Sequence, residues 1–256
     1  SLAAGWIWPL PINIPDEAQV EARRPVPGRI VSIGRLTKFK TYSWYLVPIL
    51  HALRERHPDV QWHVYGSGMC QQELINDIWK DAIEDGLIVF HGPLPYDEMA
   101  KAFAGASVFI GMGTAILEAA AAGVPTIPAL VDDTEAVSWG FIDRMPYFTV
   151  GETVPGMNPH CKVFDLLDEV LGGTPEQVAV LAAAGRRYVE PYSMDHLVNR
   201  FLERASQGER GRPLPLAVRA RFLAIRFLKL LRNLHLSFAR RGQAPIRHAG
   251  GDRLLH

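Results

Sequence analysis

At 256 residues, 48% hydrophobic and 21% charged, the chain has the make-up of a soluble globular protein with material for a sizeable core, and its length allows one large α/β domain or two small ones. Net charge is zero at pH 7, so no global field recruits nucleic acid or a membrane. Its two cysteines, Cys70 and Cys161, make neither a metal-binding spacing nor a disulfide framework, which suits a reducing compartment.

Residues 1–27 are rich in Pro and Trp, then in charge, and read as an irregular linker segment. They lack both the charged-then-apolar order of a secretion signal and an initiator Met, so a processed chain or an expressed fragment is expected. Arg29–Gly34 is a short apolar run closed by Gly, as in a buried parallel strand. Thr41 is placed to cap the next helix, whose apolar stripe is Tyr45, Val47, Leu50 and Leu53. Val60–Tyr65 is a second strand closed by Gly66-Ser-Gly68, and a helix over about 70–84 leads to a third strand, Leu87–Phe90. Pro95-Tyr-Asp-Glu starts another helix, with Met99 and Phe103 facing inward. Strand Val108–Ile110 then runs through Gly111-Met-Gly113 into a helix carrying Glu118, which Gly123 ends before strand Val124–Ala129.

Five strands alternating with helices predict a Rossmann-like, doubly wound parallel sheet of the α/β class with added C-terminal helices. Right-handed crossovers bring every loop that follows a strand to one edge, where ligands of such sheets bind. Of the charged candidates, Arg35, Lys38 and Lys40 fall in the first of these loops, and Lys38 reads as a solvated charge. Past 150 the strand rhythm fades into helices at 162–171, 174–188 and 193–206. The expected divisions are a linker over 1–27, the sheet domain over 28–206, and a basic helix and tail over 207–256.

Three segments in this order resemble the C-terminal, donor-binding half of GT-B glycosyltransferases, most closely the family 4 type (glycosyl transferases group 1). They are Gly34-Arg-Leu-Thr-Lys-Phe-Lys40; Val64-Tyr-Gly-Ser-Gly68 with His91-Gly92 and the Pro95 helix start; and Gly113 through Glu118 to Pro125. The closing Tyr192-Ser-Met-Asp-His helix is similar as well. The resemblance implies a nucleotide-diphosphate sugar as donor, with Arg35 and Lys40 as catalytic cations that neutralise the departing diphosphate. It implies that Glu118 meets the ribose hydroxyls and that Gly113 and Thr114 present backbone amides to a phosphate. Gly34, Gly66 and Gly68 would let the chain approach the ligand, while His91 and Leu94 would border the base; for His91 a purely structural role weighs equally. No cofactor and no metal are expected, since Arg35 and Lys40 can carry the phosphate charge.

Two departures from that pattern matter. The donor-sugar carboxylate that many members carry eight residues before the ribose-binding one falls here on Ile110. No acceptor-binding N-terminal domain is present either, so a fragment or one partner of a split enzyme is expected. The expected function is donor binding for transfer to a glycan or lipid-linked acceptor, as in polysaccharide biosynthesis. The alternatives are a non-catalytic nucleotide-sugar-binding subunit and a GT-B-type sugar-nucleotide epimerase. Over 216–240, Arg219, Arg226, Lys229 and Arg240 oppose Leu223, Phe227, Leu230 and Leu234. That pattern suits an interfacial membrane helix and, equally, a helix packed on the absent domain. The expected location is the cytoplasm, with the membrane's inner face as a peripheral surface, and no nucleic acid as partner.

Overall fold

The computed structural model describes residues 9–146 and 149–207, and the chain divides into two units, Ser1–Glu203 and Arg204–His256. The basic stretch 216–240 lies outside the described residues, as does the tail that follows it. In chain order the fold runs α1 (Glu17–Glu21), β1 (Arg29–Ile33), α2 (Tyr42–Arg54) and β2 (Gln61–Tyr65). It continues through α3 (Gln71–Glu73), a π-turn (Leu74–Ile78), α4 (Lys80–Glu84), β3 (Ile88–Gly92), a 3-10 turn (Tyr96–Glu98) and α5 (Met99–Ala104). Next come β4 (Val108–Gly111), α6 (Thr114–Ala121), β5 (Thr126–Pro128), β6 (Val137–Ser138) and β7 (Cys161–Lys162), then α7 (Val163–Leu171), α8 (Pro175–Val189) and α9 (Met194–Gln207).

The five-stranded sheet has the order β3-β2-β1-β4-β5 and is parallel throughout. Successive side chains of a strand point to opposite faces, so β1 sends Ile30 to one apolar cluster and Val31 and Ile33 to another. The first cluster joins Ile30, Trp62 and Ile110 to Leu46, Leu50, Leu74, Trp79 and Leu167, from α2, the segment 71–84 and α7. The second joins Val31 and Phe109 to Phe103, Ile116 and Leu117, from α5 and α6. Both sheet faces are therefore covered, which is why these strands read as continuous apolar runs. One polar group crosses the middle: buried Ser32 donates its hydroxyl to the Ile110 carbonyl at 2.6 Å and accepts the Trp62 indole N–H at 2.8 Å.

Several local expectations are corrected. Thr41 sits at the start of α2 but in a helical conformation, so its hydroxyl makes no capping bond and lies buried without a partner. The inward residue of α2 is Leu46, while Val47 is only partly buried. The helix expected over 70–84 is interrupted where the Trp79 N–H donates to the Leu74 carbonyl at 2.6 Å, five residues back. The extra residue in that turn accompanies a fully buried Trp79 whose indole donates to the Ser43 carbonyl at 2.7 Å. The linker segment is not wholly irregular. Asp16 and Gln19 form a capping box that starts α1, and Ile12, buried, pairs with Ser193. The antiparallel pair β6–β7 was not anticipated, because two-residue strands leave no periodicity to read.

Candidate functional site

The loops that follow the strands meet at one edge and are joined by main-chain bonds. Gly34 N–H donates to the Tyr65 carbonyl at 2.9 Å, Leu36 N–H to Ser67 at 3.0 Å, and Gly66 N–H to Gly92 at 2.7 Å. On the other side Ala129 N–H donates to Gly111 at 2.7 Å, Asp132 N–H to Phe39 at 3.0 Å, and Gly113 N–H to Val150 at 2.6 Å. The approaches are close enough to require glycine. A Cβ on Gly66 would run into the Gly34 carbonyl oxygen, and one on Gly68 into the Leu36 carbonyl oxygen.

The central side chain is Lys40. A turn closed by its own N–H on the Thr37 carbonyl folds it back over the end of β1. Its Nζ would lie only 2.5 Å from a Cβ on Gly34, so a side chain there would displace the ammonium. Lys40 is 8% exposed, and among the described residues it has no ion pair or side-chain hydrogen bond. Burial, with the positive Arg35 nearby, pulls its pKa down to about 8. Arg35 itself is exposed at the start of the same loop, as is Lys38. The Tyr42 phenol lies at the same edge, 3.9 Å from a Cβ on Gly34 and 4.0 Å from one on Gly111.

Gly113 precedes α6 at φ +80, in the left-handed region glycine favours, and a Cβ there would meet nothing within 4 Å. Open space therefore fronts the N-terminus of α6, where Thr114 begins the helix and free amides carry partial positive charge. One turn on, Glu118 is half-buried, and burial raises its carboxyl pKa while a bond from Tyr96 opposes the shift. Tyr96 Oη donates to Glu118 Oε1 at 2.9 Å. The sequence reading missed Tyr96, since nothing in a residue following Pro95 signals a contact with position 118.

His91 is exposed but engaged: its Nε2 is 2.9 Å from His63 Nδ1, and its ring stacks on Tyr65 at 4.2 Å and 5°. Leu94 packs against the second apolar cluster. Ile110 is fully buried in β4, so the strand carries no carboxylate toward the edge at that position. Asp133 accepts from the Glu135 and Val137 N–H groups, both at 3.0 Å, and so shapes its own loop.

A cavity of about 810 Å³ lies elsewhere. Gly28, Ser107 and Pro125 line it, at the starts of β1, β4 and β5, so it opens on the opposite edge of the sheet. Its walls are mainly apolar. Arg23 there spends its guanidinium on the Phe103, Ala106 and Gly123 carbonyls, and Arg186 on the Ala121 carbonyl and Glu17. This cavity is large, but Lys40, the open helix end and the loop glycines lie at the other edge. That edge is the stronger candidate site.

An open parallel sheet with glycine loops, a buried lysine and a helix N-terminus at one edge defines a Rossmann-like α/β fold. Residues 27–141 match the family model described as Glycosyl transferases group 1. Over that stretch the chain is similar to the glycosyl transferases group 1 family, and its sheet has the Rossmann-like form found in GT-B structures. Among solved structures, HepE of Anabaena in complex with UDP and glucose aligns with a TM-score of 0.51 at 15% identity, covering 77% of this chain and 56% of that one. Sucrose-phosphate synthase of Thermosynechococcus elongatus aligns with a TM-score of 0.50 at 16% identity, covering 78% and 51%. S. aureus TarM gives 0.49 at 13% identity, with 69% of this chain and 35% of that one covered. The chain thus spans about a third to just over half of the solved structures it matches. A search of curated proteins returns no match. Among the described residues no helix is long and apolar enough to cross a membrane.

Proposed function

We propose that the chain binds a nucleotide-diphosphate sugar at the loop edge of its sheet, as the donor-binding half of a glycosyltransferase. The observation that carries this reading is the Lys40 ammonium, buried, unpartnered and held over Gly34. Burying an unpaired cation is costly, and such an arrangement persists where a ligand supplies the opposite charge. A diphosphate fits: Lys40 and Arg35 would take its charge from one side and the Thr114 amide at the start of α6 from the other, the Gly113 N–H expected there being spent on the Val150 carbonyl. As the sugar–phosphate bond breaks, negative charge grows on the departing diphosphate, so these groups would hold the transition state more tightly than the ground state. Glu118 would accept from the ribose, and Gly66 and Gly68, packed against the Gly34 and Leu36 carbonyls, would hold the first two loops together beneath it.

HepE, which shares the fold, was solved with UDP and with UDP-glucose, which makes uridine the first base to test. The acceptor site would come from a second domain or a partner subunit. Peripheral membrane contact through 216–240 stays part of the proposal. The buried Ile110 favours one second reading, a nucleotide-sugar-binding subunit that does not itself transfer, because the position that could hold a donor-sugar hydroxyl is apolar. Calorimetric titration with UDP-, GDP-, ADP- and dTDP-sugars and the bare diphosphates tests both. Binding that tightens with one particular sugar supports the transferase, and binding blind to the sugar supports the subunit. No binding by any of them refutes the site.

A further inference from the structure

The carboxylate proposed for the ribose is already engaged from one side. Between Ile116 and Ala121 on α6, Glu118 is the one residue not buried. At that opening the phenol of Tyr96, 64% exposed, donates to Glu118 Oε1 at 2.9 Å. The backbone that presents Tyr96 is stiff, because Pro93 and Pro95 flank Leu94 and fix their own φ angles, with Pro95 extended at φ −59, ψ 144. The phenol therefore sits on the carboxylate through geometry the loop imposes, with little ring burial to hold it there.

A free carboxylate can give one oxygen to each hydroxyl of a vicinal diol. With one acceptor site of Oε1 taken by Tyr96 and the phenol lying beside it, Oε2 is the oxygen left with both acceptor sites open. We infer that Tyr96 is a positioning and specificity residue that reserves one oxygen of Glu118, so that the site grips a single ribose hydroxyl and tolerates a deoxyribose. This rests on the nucleotide reading above. When the 2′-hydroxyl is absent, the 3′-hydroxyl takes the same oxygen and little is lost. Removing the Tyr96 hydroxyl frees both oxygens, and each ribose hydroxyl then gains its own acceptor.

The experiment measures the dissociation constants of the tightest-binding of UDP, GDP and ADP and of its 2′-deoxy form, on the full chain, by calorimetry. Wild type, Tyr96→Phe and Glu118→Ala are compared. The deoxy-to-ribo ratio of dissociation constants is expected to rise about fivefold in Tyr96→Phe, a part of the full value of a hydrogen bond to a charged group. A ratio that stays the same or falls in Tyr96→Phe, with Glu118→Ala still weakening the diphosphate, overturns the role of Tyr96 and leaves the site standing. A Glu118→Ala variant that binds as wild type overturns both. Because Tyr96 is exposed and Phe keeps its ring, a folding defect does not account for a changed ratio, and loss of structure alone would weaken both nucleotides together.

Discussion

Lys40 links stability, pH and ligand binding in one side chain. Its ordinary pKa of 10.5 falls to about 8 on burial, with Arg35 adding repulsion. The folded state thus binds this proton less tightly than the unfolded chain does. Below pH 8 both states carry the charge and the penalty is fully present; between pH 8 and 10.5 it fades as the folded lysine loses its proton first. Each tenfold change in proton affinity is ~1.4 kcal/mol, so the penalty is at most ~3.5 kcal/mol, and ~1–3 kcal/mol after allowance for water reaching the amine. Lys40→Met should therefore raise the melting temperature of the unliganded protein at pH 7 and lose that advantage near pH 10. Binding should move the opposite way. The lysine is about 90% protonated at pH 7 and about 10% at pH 9, so diphosphate affinity should fall about tenfold across that window. The phosphate's own proton leaves near pH ~6 and does not interfere. Lys40→Arg should flatten the profile, and Lys40→Met should weaken binding about tenfold or more at pH 7. Calorimetry from pH 7 to 9 and thermal melts of the three proteins make the test. A wild-type affinity flat across the window, together with a Lys40→Met variant that melts below wild type, would refute the reasoning.

Three further outcomes are expected. Gly66→Ala should lower the unfolding free energy by ~2 kcal/mol or more in a chemical melt, because the new methyl meets the Gly34 carbonyl and the loops must part. Glu118→Ala should weaken nucleotide binding about tenfold while leaving the melting temperature within a few degrees of wild type, since the carboxylate is only half-buried. His63 is held neutral, its pKa pushed down to about 4 by burial and by Arg29 and His91. The unfolded chain takes up that proton as the pH falls below ~6.5 and the folded state does not, so stability should drop between pH 6.5 and 4. His63→Gln should shrink that drop by ~1–2 kcal/mol in urea melts across the range, and an unchanged slope would contradict it.

The sheet was readable because both its faces are covered, so Ile30–Ile33 and Val108–Gly111 are apolar but for Ser32, and glycines close each run. The edge that would hold a ligand followed from topology alone. What was hidden depends on contacts between distant segments. A sequence shows Lys40 as a loop charge; its burial comes from the turn at Thr37 and from the missing side chain of Gly34. Tyr96 and Glu118 lie on different crossovers, and neither position announces the other. His91 read equally as ligand or as structure, and its bond to His63 and stack on Tyr65 tie it to the fold. The cap expected of Thr41 failed because the chain already turns helically there. The helix over 70–84 broke around Trp79, whose indole reaches the Ser43 carbonyl.

The central claim is that a nucleoside diphosphate occupies the loop edge of the sheet and not the apolar cavity at its opposite edge. A crystal structure of the chain with its tightest-binding nucleoside diphosphate tests this most directly. The account predicts the diphosphate between Lys40 Nζ and the Thr114 amide, with a ribose hydroxyl on Glu118 Oε2 and Tyr96 still on Oε1. Density for the nucleotide among Val20, Pro125 and Val178, with Lys40 still unpartnered, would contradict it.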